Sequence, residues 1–288
     1  MSVGLVLGAG GATAWVFHTG VLETIQAETG IDPSSVDIIV GTSAGAAVAA
    51  TVRSGLGVDE IFRAATRPPE RHEQREMLSE LRRARKTLRP LSIGLTRHAL
   101  PGGRGATLAV AGLLPPGLFP TAFLASFPGM DRFDRWPEGL WVPATRASDG
   151  ELVVFGKDRS DLPVHAAVEA SSAVPGMFRP RIIDGVAYID GGVTSSTHAD
   201  LLVDAGVDRV FISAPMSKPS RRLFATNARQ RLTAEVAALQ RAGIETIVVQ
   251  PSVAAVEAAR GFPRRNPGAA PDIVHHAALA TRLALSSA

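Results

Sequence analysis

The segment Asp37-Ile38-Ile39-Val40-Gly41-Thr42-Ser43-Ala44-Gly45-Ala46-Ala47-Val48-Ala49-Ala50-Thr51-Val52-Arg53-Ser54 decides the fold. Asp37 to Val40 is a short apolar run of strand length, and Ala46 to Ser54 is built from good helix formers that Gly55 and Gly57 bring to an end. Between them Gly41-Thr42-Ser43-Ala44-Gly45 fits the Gly-x-Ser-x-Gly elbow, a strained strand-to-helix turn that exposes a serine hydroxyl while small neighbours relieve backbone crowding. Working back towards the N-terminus, the same order recurs. Val3 to Leu7 is apolar, Gly8-Ala9-Gly10-Gly11-Ala12 is a glycine loop, and Phe17, Val21 and Ile25 follow at helical spacing up to Gly30. Two consecutive strand-turn-helix units predict a mainly parallel central sheet covered by helices on both faces, a three-layer α/β/α arrangement.

The second half continues the alternation. Strands are expected at Trp141 to Thr145, Leu152 to Phe155, Val210 to Ser213 and Thr246 to Gln250, and helices at Val164 to Ser172 and from about Arg222 to Ala242. Ile182 to Ile189 reads as a hairpin turning at Asp184-Gly185, interrupted afterwards by Asp190-Gly191-Gly192. A Pro- and Arg-rich link, Phe262 to Pro271, precedes a final helix. No repeat or second-domain boundary emerges, so residues 1–288 are expected to form one domain.

Composition narrows the function. With 288 residues, 45% hydrophobic and 20% charged, the chain is an ordinary globular one. Its net charge of only +3 does not suit a dedicated nucleic-acid binder. The absence of cysteine excludes disulfides, thiolate metal sites and a cysteine nucleophile. Met1 to Leu7 lacks the positive n-region of a secretory signal, and no apolar run reaches the roughly 20 residues that span a bilayer, so a cytoplasmic protein is expected. Charge is unevenly placed. Arg53 to Arg104 holds twelve Lys/Arg against six Asp/Glu with sparse apolar positions at Met77, Leu81 and Leu88, which reads either as a solvated helical excursion or as a basic surface facing anionic lipid. Leu113-Leu114-Pro115-Pro116-Gly117-Leu118-Phe119-Pro120 is apolar but broken by proline, and either lines a pocket or packs as a buried connection.

A serine hydroxyl needs a base and an oxyanion site before it attacks an acyl carbon. The glycine loop at Gly8 to Ala12 opens a helix, where unpaired amides and the positive dipole end favour a negative oxygen. A dinucleotide fingerprint fails there because its third glycine position is Thr13, and neither Asp32 nor Asp37 stands where a ribose-binding acid belongs. The base is a histidine or a carboxylate. None of His18, His72, His98, His165, His198, His275 and His276 lies in a motif, and His275, though placed late like a triad histidine, follows an elbow preceded by only one strand.

The glycine loop at Gly8 to Ala12, the elbow Gly41 to Gly45 and Asp190-Gly191-Gly192 resemble, in order and spacing, the patatin-like phospholipases. Ala170-Ser171-Ser172-Ala173-Val174-Pro175-Gly176 is similar to the segment ahead of that family's Asp-Gly-Gly motif, so the likeness covers about residues 3–215 and leaves 216–288 as a C-terminal extension. The resemblance implies a serine–aspartate pair without metal or cofactor: Ser43 as nucleophile, Asp190 as base, and the amides of Gly10, Gly11 and Ala12 as oxyanion hole, with Gly8, Gly41, Gly45, Gly191 and Gly192 supporting the motifs. It also implies acyl-lipid ester substrates, while contact with an anionic membrane surface is expected only on the second reading of the basic stretch Arg53 to Arg104. Thr13 and Ala14 stand where the family usually has Arg or Lys followed by Gly, which motivates one rival reading, a non-catalytic acyl-lipid binder; a nucleotide-binding oxidoreductase is a second rival, independent of that departure.

Overall fold

A computed structural model describes residues 1–67, 75, 79, 90–99, 105–220 and 223–287. About half of the basic stretch, including Met77, Leu81 and Leu88, lies outside the described residues. The first unit is β1 (Val3–Leu7), the glycine loop and α1 (Gly11–Thr29), which Gly30 ends in the left-handed conformation. The second is β2 (Ile38–Gly41), the elbow and α2 (Ala44–Arg53). After α3 (Val58–Thr66) and α4 (Ala106–Leu113) come β3 (Leu140–Arg146), β4 (Leu152–Phe155) and α5 (Val164–Ser171). The hairpin forms as expected from β5 (Arg181–Ile183) and β6 (Val186–Asp190). The chain closes with β7 (Arg209–Ser213), α6 (Leu223–Arg241), β8 (Glu245–Val249), α7 (Val253–Ala258) and α8 (Ala270–Ser286).

Among the described residues, eight strands join one sheet in the order β5-β6-β3-β2-β1-β7-β8, with β4 paired to β3. The run from β3 through β2, β1 and β7 to β8 is parallel, whereas β4, β5 and β6 are antiparallel additions. Alternation along the strands builds the three layers. Leu5, Leu7, Ile39, Phe211 and Ile247 pack with residues of α1, α2 and α8, while Val6, Val40, Val210 and Ile212 pack with Leu232 and Leu239 of α6. Phe17, Val21 and Ile25 are buried as their spacing predicts.

Register positions the site. Val40 of β2 lies opposite Trp141 of β3, and Ala144 lies opposite Asp190 of the antiparallel β6. Ser43 is three residues beyond Val40 and Ala144 three beyond Trp141, so the elbow and the last residue of β6 arrive at one level.

Candidate active site

Ser43 occupies φ 55°, ψ −119°, a backbone conformation that few non-glycine residues adopt and that costs on the order of 1–3 kcal/mol. Its surroundings hold it there. The Thr42 amide donates to Leu7 O at 3.0 Å, and the Ser43 amide donates to Ser171 Oγ at 2.9 Å, whose own hydroxyl donates to Pro143 O at 2.7 Å. Trp15 of α1 donates to Ala44 O at 3.1 Å. Gly45 crosses the end of β1 so closely that a Cβ there would stand 1.9 Å from Leu7 O, which explains why the elbow needs glycine at that position.

The Ser43 hydroxyl donates to Asp190 Oδ2 at 2.7 Å, and Asp190 Oδ1 accepts from the Gly192 amide at 2.6 Å. The Asp190 amide donates to Ala173 O at 3.0 Å, tying the carboxylate to the end of α5. Ser43 is 6% and Asp190 4% exposed. Burial raises the Asp190 carboxyl to about 6, against the opposing pull of the bonds from Ser43 and Gly192. A carboxylate so placed is basic enough to take a hydroxyl proton without an intervening imidazole.

The glycine loop divides into two parts. The Gly8 and Ala9 amides are already spent on Ser213 O (2.9 Å) and Ser196 O (2.8 Å). Gly10, Gly11 and Ala12 begin α1, where amides have no intrahelical acceptor, and they remain partly or fully exposed. Gly11 sits at φ +64°, a left-handed conformation that suits glycine. Gly10 rests on buried Ala14, and a Cβ on Gly192 would touch the Ala9 methyl at 3.4 Å, so the glycine loop and the Asp190 turn meet. A Cβ on Gly191 would lie 2.5 Å from Pro143 O.

Two histidines that no motif marks lie behind these loops. His18 Nε2 faces Gly8 O at 2.8 Å and Nδ1 faces Ser213 Oγ at 2.8 Å. A carbonyl only accepts, so the proton is on Nε2 and Ser213 donates to Nδ1. His198, itself at φ 54°, bridges Thr42 Oγ1 (3.2 Å) and Thr194 Oγ1 (3.0 Å). The Thr194 hydroxyl donates to Gly191 O at 2.9 Å, so it accepts from His198 Nε2 and Nδ1 accepts from Thr42. Burial lowers His18 to about 4 and His198 to about 3, with Arg231 adding to the latter, so both are neutral supports. Below them Glu235 of α6, 5% exposed, accepts from Ser195 Oγ, from Thr197 Oγ1 at 2.5 Å and from the Ala199 amide at 3.0 Å. Burial and nearby Asp200 push its carboxyl up.

His275 and His276 meet edge to face in α8, with ring centroids 5.6 Å apart, and the Ser43 hydroxyl has Asp190 as its partner instead. Among the described residues no group of three His, Asp or Glu side chains is arranged to hold a metal ion.

The sequence profile described as patatin-like phospholipase matches residues 5–203. Among solved structures, the chain is similar to VipD from Legionella pneumophila, at 15% identity and TM-score 0.48 over 99% of this chain and 66% of that one. It is also similar to the type III effector protein ExoU, at 16% identity and TM-score 0.42 over 98% of this chain and 53% of that one. The chain thus spans less than two thirds of the first protein and about half of the second. The profile match extends over more than half of the 288 residues and includes Gly8, Ser43 and Asp190, and the chain belongs to the patatin-like phospholipase family.

Proposed function

We propose that the protein hydrolyses carboxylic esters of acyl lipids through an acyl-enzyme formed on Ser43. The observation that carries this reading is the buried 2.7 Å hydrogen bond from the Ser43 hydroxyl to the raised Asp190 carboxylate. Asp190 takes the serine proton as Ser43 Oγ bonds to the acyl carbon. The oxygen that gains negative charge is met by the amides of Gly10, Gly11 and Ala12 at the positive end of α1. Collapse of the tetrahedral intermediate breaks the ester bond, and the alcohol leaves with the proton from Asp190. Water then attacks the acyl-enzyme, Asp190 accepts its proton, and the fatty acid departs as Ser43 regains its hydrogen. Lipid esters as the substrate class follow from family membership. No step calls on a metal or cofactor.

Fatty-acid release from phosphatidylglycerol, lysophosphatidylcholine and triacylglycerol tests the reading. The wild type is expected to release acid from at least one of them, and Ser43→Ala to lose nearly all of that activity while keeping the wild-type melting profile. A folded Ser43→Ala protein with undiminished turnover contradicts it.

A further inference from the structure

His198 stands behind the Ser43–Asp190 pair with no part in the proton transfers. It is 3% exposed, sits at φ 54°, ψ 36°, and has both ring nitrogens spent on hydroxyls, Nδ1 accepting from Thr42 at 3.2 Å and Nε2 donating to Thr194 at 3.0 Å. Each hydroxyl belongs to one side of the pair. Thr42 immediately precedes Ser43, and a Cβ on Gly191 would stand 3.3 Å from the Thr42 methyl. Thr194 folds back on the Asp190 turn, its hydroxyl and its amide both donating to Gly191 O, at 2.9 Å and 3.0 Å. The contacts close a ring. It runs from Ser43 to Thr42 along the chain, from Thr42 to His198, from His198 to Thr194, from Thr194 to Gly191, and from Asp190, next to Gly191 in the chain, back to Ser43.

We infer that His198 is a positioning residue, a strut that fixes the separation of the Ser43 hydroxyl and the Asp190 carboxylate by holding the residues beside each. The backbone supports this. A left-handed histidine is uncommon and persists only where its surroundings over-determine it. Here the His198 amide donates to Ser195 Oγ at 3.2 Å, and buried Glu235 of α6 gathers the Ser195 hydroxyl, the Thr197 hydroxyl at 2.5 Å and the Ala199 amide at 3.0 Å. The loop that carries His198 is thus clamped to α6, while the imidazole reaches both catalytic loops. The side-chain type fits the task as well. One end of the span needs an acceptor and the other a donor, and a neutral imidazole supplies both on a rigid ring in a single tautomer. With both nitrogens engaged, His198 acts through Thr42 and Thr194 and not as a base. A strut is needed because β3 lies between β2 and β6, so no ladder pairing ties the end of β2 to the end of β6 directly. Misplacement of reacting groups by about 1 Å costs about 10²-fold in rate. The effect of His198 on rate rests on the hydrolase reading, but its effect on the Ser43–Asp190 distance does not.

Steady-state kinetics and a crystal structure of His198→Gly in the full chain test the strut, since glycine keeps the left-handed backbone without strain and removes only the ring. Ester hydrolysis is expected to show kcat lowered about 10²-fold with KM changed by less than about twofold. In the crystal the Ser43 Oγ to Asp190 Oδ2 distance is expected to lengthen from 2.7 Å to beyond hydrogen-bond reach. His198→Asn tolerates the same backbone and still offers Thr42 an acceptor, so it is expected to regain about tenfold of the lost rate. Thr42→Val cuts one arm of the strut and keeps its shape. It is expected to lower kcat about tenfold in the wild type and less than about twofold in His198→Gly, where that arm is already gone. If the wild type hydrolyses no ester yet the distance opens in His198→Gly, the hydrolase reading fails and the strut stands. An unchanged distance overturns the strut, as does a wild-type kcat in folded His198→Gly, a loss confined to KM, or additive losses for His198→Gly and Thr42→Val. Should His198→Gly not fold, Thr42→Val alone decides by the same two readouts, with a longer distance and a lower kcat at unchanged KM expected, and an unchanged distance with undiminished kcat overturning the inference.

Discussion

Asp190 carries a charge in a place that disfavours charge, and the two consequences run in opposite directions. Its carboxyl is raised from 3.8 to about 6, so the folded protein holds that proton more tightly than the unfolded chain does between those values. Stability from this group is therefore present at low pH and lost as pH rises through about 6, at a cost above that value on the order of 3 kcal/mol. Asp190→Asn keeps an acceptor for Gly192 and offers an N–H to Ser43, so it is expected to be more stable than wild type at pH 8, with the gain shrinking towards pH 4. Urea denaturation at the two pH values measures this. The same substitution removes the base and is expected to lower kcat by about 10²–10⁴-fold. In the wild type, kcat/KM is expected to rise with pH through about 6, as the free enzyme's base becomes ionised. The residue itself was legible only in company, because Asp190-Gly191-Gly192 alone is an ordinary turn.

The elements that hold the elbow were less legible than the elbow. Ser171 lies in a segment that the family likeness singles out, yet only the fold shows what it does: at the end of α5 it accepts the Ser43 amide and passes its own hydrogen to Pro143. Ser171→Ala leaves a buried amide unpaired and is expected to cost about 1–3 kcal/mol in stability, with a severalfold fall in activity from a displaced Ser43. Comparing thermal melts with initial rates separates the two effects. His18 and His198 carry no sequence signal at all, since a lone histidine in a helix or loop reads alike whether it packs or titrates. Glu235 was hidden for another reason. On a polar helix beyond the family match it reads as a solvated charge, but α6 turns it inwards to hold Ser195, Thr197 and Ala199, and Ser196 of that loop accepts the Ala9 amide. Glu235→Ala is expected to destabilise the protein by about 3 kcal/mol or more by stranding these donors, and Glu235→Gln by less, as read from denaturant midpoints.

At the scale of the molecule, periodicity exposed the start of the parallel half of the sheet because β1 and β2 are each an apolar run followed by glycine and a helix. It also located the hairpin at Asp184-Gly185. It carried no information on where the hairpin docks, and that placement is what matters: β6 pairs antiparallel with β3, bringing the end of the late hairpin level with the end of the early β2. The site therefore joins an elbow of the parallel half to an aspartate of the antiparallel half, 147 residues apart. The prolines of 113–120 end α4 at Leu113 and leave Leu113 and Leu114 exposed and Gly117 buried, but the backbone pairing of 117–119 with 177–179 is encoded by no local pattern. The measurement that tests the Ser43–Asp190 pair most directly is fluorophosphonate labelling of the whole chain, with peptide mapping and with rates followed against pH. A single label on Ser43 is expected, its rate rising with pH through about 6, absent in Ser43→Ala, slowed by about 10²-fold or more in Asp190→Asn, and little changed by combined His275→Ala and His276→Ala. Label on another serine, or a folded Asp190→Asn protein labelled at the wild-type rate, contradicts the pair.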